Sequence, residues 1–90
     1  YEASEWPAFR FVLDTANIQI SSLTLQADSW GGSLEMYLYD GKEWVSQALN
    51  TRVENPGRFI DAEGQLFVQF RGAGNASVTA PTLLLEGRAR

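Results

Sequence analysis

Leu34-Glu35-Met36-Tyr37-Leu38-Tyr39-Asp40-Gly41-Lys42-Glu43-Trp44-Val45 places large apolar side chains on both sides of a turn signal. Asp40-Gly41 predicts a two-residue type I′ turn, because Asp and Gly tolerate the positive φ that this turn demands. The turn sets a register: Tyr39 opposite Lys42, Leu38 opposite Glu43, Tyr37 opposite Trp44 and Met36 opposite Val45, with successive pairs on alternate faces. One face of this hairpin is aliphatic and the other aromatic. A small domain needs only one core face per strand, so the second must be covered by more protein, occupied by a ligand, or left exposed.

On either side of the hairpin, period-two alternation and turn residues dominate, and no segment carries an i, i+3, i+4, i+7 apolar stripe. Phe9 to Asp14 reads as a strand after Trp6-Pro7, and Asn17 to Ala27 as a longer one. In the longer strand Ile18 and Ile20 share one phase, while Leu23, Leu25 and Ala27 share the other. The alternation therefore slips at Ser21-Ser22, as it would at a β-bulge or a sheet-switching corner. Ser29-Trp30-Gly31-Gly32-Ser33 reads as a loop. Gln47 to Glu54 reads as a strand or an irregular return, ended by the turn Asn55-Pro56-Gly57.

Arg58 to Asp61 and Gln65 to Gly72 predict a second hairpin around Ala62-Glu63-Gly64, with Gly64 at the left-handed position of a three-residue loop. Its register sets Ile60 opposite Leu66 and Phe59 opposite Phe67. Leu66, Val68 and Phe70 extend the aliphatic face, and Gln65, Phe67, Gln69 and Arg71 the other. Gly72-Ala73-Gly74-Asn75 reads as a turn, and Ser77 to Glu86 as a closing strand with Pro81 at an edge or bulge. The expected fold class is all-β, a two-sheet antiparallel β-sandwich of jelly-roll type with seven or eight strands, forming a single domain over residues 1–90.

The composition narrows the chemistry. Histidine and cysteine are both absent, which excludes Ser-His-Asp, Cys-His and zinc-hydrolase schemes and leaves the redox compartment open. No cofactor and no metal site is expected. No apolar run approaches the roughly 20 residues of a membrane span. The chain begins with Tyr1 and carries no basic segment followed by an apolar one, so it is expected to be a piece of a larger protein. Its net charge is −4, with seven acids and two bases in residues 1–45 against four acids and five arginines in residues 46–90. An acidic domain lacks the electrostatic footprint of a general nucleic-acid binder.

Three stretches resemble the galactose-binding-like jelly-roll domains found as carbohydrate-binding or adhesion modules in bacterial extracellular proteins. They are the hairpin Tyr37-Leu38-Tyr39-Asp40-Gly41-Lys42-Glu43-Trp44, the hairpin from Phe59 to Val68, and the closing Pro81-Thr82-Leu83-Leu84-Leu85-Glu86-Gly87. The resemblance is one of fold pattern and implies an extracellular or cell-surface binding module. No residue of a family binding motif carries over with it.

The candidate ligand-binding surface is the aromatic face, Tyr37, Tyr39 and Trp44 with Lys42, joined by Phe67, Gln69 and Arg71 of the second hairpin. Flat rings supply contact area for sugars, and phenol, indole, amide and guanidinium groups supply hydrogen bonds at the rim. The competing reading is that a second sheet covers these rings as core. Trp30 reads either as an aromatic lid or as a plug at one end of the sandwich. Asp28, Asp40 and Asp61 sit at strand ends, where they would either gather round calcium or serve the turns. Glu35 with Glu43, or Asp61 with Glu63, are the only paired carboxylates for acid–base work, and hairpin-tip acids are ordinarily solvated. Asn75-Ala76-Ser77 matches a glycosylation triplet of the kind that arises by chance among small residues.

The expected function is that of a non-catalytic binding or adhesion module of a bacterial secreted or cell-surface protein, contacting a glycan or other polymer. The rival is a structural or protein–protein interaction module of a filament, pilus or surface layer, its aromatic face packed on a neighbouring domain or subunit. A third reading is a domain of a DNA-binding surface protein using Arg52, Arg58 and Arg71.

Overall fold

The computed structural model describes all 90 residues. Six strands form, β1 (Ala8–Val12), β2 (Ile18–Gln26), β3 (Ser29–Tyr39), β4 (Trp44–Gln47), β5 (Gln65–Val78) and β6 (Thr82–Ala89). They build two antiparallel sheets, one of four strands in the order β1-β5-β3-β4 and one of two, β2-β6. This is the expected all-β, two-sheet architecture. It has six strands where seven or eight were expected, and each merger or loss has a local cause.

The two glycine-rich segments read as loop and turn are strand. Gly32 pairs with Gly74, Ser33 with Ala73 and Leu34 with Gly72, so the ladder between β3 and β5 continues through both segments, with mostly small residues opposite each other. A bulge between Trp30 and Gly32 absorbs the irregularity, with Gly31 at φ 83°. Glycines facing glycines satisfy the backbone in the ladder, and a turn is no longer required there. Gly72 also leaves the space into which the Ala3 side chain packs. Arg58 to Asp61, expected as a strand, is instead a 3-10 turn over Pro56–Arg58 followed by a single bridge, Ile60 to Leu66. Proline at the first turn position pre-sets that conformation. The second reading of 47–54 holds, since this segment is an irregular return that touches β2 through one bridge, Leu23 to Val53.

The first hairpin keeps its faces but shifts its register. Tyr39 pairs with Trp44, Leu38 with Val45 and Tyr37 with Ser46. Asp40–Glu43 forms a four-residue connection closed by Asp40 N–H to Glu43 O at 3.1 Å. The Asp40 carboxylate accepts the backbone N–H of Lys42 and of Glu43, each at 2.9 Å. Those two bonds favour an Asx-type turn over the two-residue alternative. A shift of two residues preserves the side-chain parity.

The closing strand expected over Ser77 to Glu86 is divided, since β5 ends at Val78 and β6 starts at Thr82 in the other sheet, with Pro81 in the break, where it has no ladder N–H to give. The second hairpin has its bridge at Ile60–Leu66 and Gly64 at φ 78°. In β2 the ladder shifts between Ile20 and Ser22, which places the slip at the two serines. Residues 1–12 lie along β5, Tyr1 through the reciprocal bonds of its ammonium to Val78 O at 2.9 Å and of Val78 N–H to Tyr1 O at 3.0 Å. The core is drawn from the inward positions of both sheets, Met36, Leu38, Leu66, Val68 and Phe70 on one and Leu23 and Leu25 on the other, closed by Val53, Phe59, Ala3, Ala76 and Val78. Each fully buried Leu, Val or Phe contributes about 1.5–3 kcal/mol by leaving water.

Candidate functional site

With Leu66, Val68 and Phe70 turned into the core, alternation puts Gln65, Phe67, Gln69 and Arg71 on the outer face of β5. Glu35, Tyr37 and Tyr39 occupy the same face of β3, and Trp44 and Ser46 that of β4. The ladders bring them into rows. Ala8, Gln69, Tyr37 and Ser46 lie side by side across all four strands, Arg10 neighbours Phe67, and Arg71 neighbours Glu35. The aromatic band is thus on the outside of the sandwich. Leu23 and Leu25 of the smaller sheet pack on the opposite face, and the rings are half-buried.

Tyr39 and Trp44 pack with centroids 5.2 Å apart at a tilt of 52°. Beyond them lies a cavity of about 220 Å³ lined by Tyr39, Phe67, Phe59, Asp40, Arg58 and Asp61 among others. Arg58 reaches Asp40 across it at 3.6 Å. The backbone N–H groups of Glu43 and Lys42, and then Arg58, hold the Asp40 carboxyl below its ordinary pKa. Asp61 is likewise committed to its turn, accepting from the N–H of Glu63 at 2.9 Å and of Gln65 at 2.8 Å. The Gln65 amide bridges Asp61 and Glu63 at 3.3 and 3.0 Å. These carboxylates serve turn geometry, while Asp28 lies at a different edge, beside Thr79.

At the other end of the band the Arg71 guanidinium lies over two rings, 4.0 Å from the Tyr37 centroid and 4.5 Å from that of Trp6. Its Nε donates to Gln69 Oε1 at 2.8 Å. The Tyr37 hydroxyl donates to the Glu35 carboxylate. That bond, with partial burial and the Glu35 charge, raises the phenol pKa, and Arg71 opposes the rise. Trp6 gets there by an uncommon backbone, φ 54° and ψ 59°, just before Pro7. The left-handed region costs a residue with a β-carbon roughly 1–2 kcal/mol, and a side chain held there against that cost marks a place to look for function.

Of the residues expected at the site, the sheet brings together Tyr37, Tyr39, Trp44, Phe67, Gln69 and Arg71. Lys42 is not on the face, because the longer turn places it in the exposed loop. Phe59 does not pair with Phe67 on the outside; it caps the 3-10 turn and is buried, with 3% exposure. Trp30 is neither lid nor plug but a strand residue, 57% exposed, opposite Ser77. Trp6 and Glu35 belong to the site and were not among those expected there. A tryptophan beside a proline is the one available sign for Trp6; Glu35 reads in the sequence only as a paired carboxylate with Glu43, although its alternation with Tyr37 and Tyr39 puts it on the same face.

The three arginines of the DNA reading do not gather on one free surface. Arg52 pairs with Glu86 at 2.6 Å and Glu54 at 3.9 Å, and Arg58 with Asp40. No helix is long and apolar enough to cross a membrane. No family model, no curated protein and no solved structure matches the chain.

Proposed function

We propose that this chain is a non-catalytic binding module that lays a glycan or other polymer along the outer face of the four-stranded sheet. The observation that carries the reading is an aromatic band, Tyr37, Tyr39, Trp44 and Phe67, on the sheet face turned away from the core, where Trp6 of the N-terminal segment joins it beside Arg71. Ring faces stack on sugar rings, while Gln69, Arg71 and the Tyr37 phenol supply polar selection at the rim. The resemblance to galactose-binding-like jelly-roll modules supports placing it in a bacterial secreted or cell-surface protein. The test is a glycan array with wild type and Trp44→Ala, matched for thermal unfolding. Binding lost in the variant is the expected result; binding retained in both Trp44→Ala and Tyr39→Ala overturns the reading.

A second reading, a structural or protein–protein module, is favoured by a different surface. Strand β6 pairs only with β2 and leaves its other edge free. Leu84 is 46% and Leu85 40% exposed along it. Unpaired edges with apolar side chains add strands from other chains. Sedimentation of wild type and Leu84→Lys tests this reading, which requires self-association that the lysine abolishes.

A further inference from the structure

We infer that Arg71 is a carboxylate-reading subsite, so that the polymer bound by the aromatic face is an acidic glycan; the inference rests on the binding reading above and deepens it. The guanidinium lies over two rings, with its carbon 4.0 Å from the Tyr37 centroid and 4.5 Å from that of Trp6. Its Nε is taken by Gln69. The guanidinium forms no ion pair within the protein, and beside Gln69 its polar neighbour is the Tyr37 phenol. Glu35, the direct cross-strand neighbour, makes no ion pair with Arg71, and one of its carboxylate oxygens accepts from the Tyr37 hydroxyl. What remains is a planar fork held by two rings and an amide, with no carboxylate paired to it, at the side of a groove; such a fork takes a carboxylate through two parallel bonds.

The surroundings fit this occupant. A shallow groove of about 310 Å³ lies at the fork, lined by Trp6, Ser33, Glu35, Tyr37 and Arg71 among others. The outward positions of the sheet carry Arg10 and Arg71 against Glu35 alone, a local positive excess in a chain of net charge −4. A carboxylate on the ligand is attracted by Arg71 and, one strand away, by Arg10, against the single opposing charge of Glu35. The strained Trp6 backbone is explained in the same way, since it places the second ring of the clamp.

Polygalacturonate and its methyl ester share one backbone and differ in the carboxylate, so they separate the two levels of the argument. Titration calorimetry at low salt is run with both polymers, neutral dextran and dextran sulfate, on wild type, Arg71→Gln, Arg71→Lys and Trp44→Ala. Thermal unfolding confirms that each variant is folded. The free acid is expected to bind on the order of 10- to 100-fold more tightly than the ester, with that preference lost in Arg71→Gln and largely lost in Arg71→Lys, which keeps the charge without the fork. Equal binding of acid and ester, abolished by Trp44→Ala, overturns the carboxylate subsite and leaves the aromatic site standing. Full preference retained in Arg71→Lys overturns the fork. Tighter binding of dextran sulfate than of polygalacturonate reassigns the oxyanion to sulfate and overturns the carboxylate. Binding of none of the polymers overturns both levels.

Discussion

Two neighbouring serines in β2 should respond to the same substitution with opposite signs. Ser22 is buried, 3% exposed, and its hydroxyl has no hydrogen-bond partner. Ser21, the extra residue of the bulge, is exposed and donates from its hydroxyl to Glu86 O at 3.1 Å. A buried hydroxyl left unpaired costs about 1–3 kcal/mol. The void left by one oxygen gives back only a few tenths of that, at about 24 cal/mol per Å³. Ser22→Ala is therefore expected to stabilise the fold by about 1 kcal/mol, which raises Tm by roughly 4–8 °C in a domain of this size. Ser21→Ala loses an exposed bond and should cost about 0.5–1 kcal/mol. Thermal and urea unfolding followed by circular dichroism measure both, at unchanged m-value. A Ser22→Ala protein less stable than wild type would refute the reasoning, because it would mean that the hydroxyl is paired in solution.

Phe70→Ala empties a fully buried position and is expected to cost about 3–5 kcal/mol, leaving little of a small domain's stability. Trp44→Ala removes an outer ring and should cost about 1 kcal/mol, so urea midpoints separate core from band. Gly72→Val puts a side chain where the Ala3 and Ala76 methyls already lie; it should cost about 1–3 kcal/mol and speed hydrogen exchange at the Val78 amide, which bonds Tyr1. Because the folded Asp40 carboxyl is held below its ordinary pKa, its stabilising effect is present above about pH 4 and is lost as pH falls through the lower folded value. The Lys42 and Glu43 amide shifts should titrate together in that window, and Asp40→Ala should remove the transition.

The faces of the fold were legible and its connections less so. Alternation at Leu66-Val68-Phe70 and Met36-Leu38 specified which side chains enter the core, and the phase slip at Ser21-Ser22 marked the bulge. Parity also protected the first hairpin, where a turn longer by two residues changed every partner and no face. Glycine misled at 31–32 and 72–74, because a run of glycines signals a turn only when no second run lies opposite it. The aromatic band was visible as a pattern. Its outward position followed from the small sheet packing on the other side, which no local window contains. Trp6 was missed because its place depends on a left-handed residue and a strand partner 65 residues away.

The order of pairing has a consequence in time. Only β3–β4 is a local ladder; β3–β5, β1–β5 and β2–β6 join residues 30 or more apart, as Leu38 with Val68 and Ile18 with Ala89. Such long closures are slow. Tyr39 and Trp44 meet as soon as the hairpin forms, whereas the Trp6–Arg71–Tyr37 stack requires the N-terminal segment, β5 and β3 to have docked. The clamp is therefore expected to be the last part of the surface to assemble. It is also the first to go when residues 1–7 fray, so loss of the Arg71 subsite would report partial opening before the core gives any sign of it.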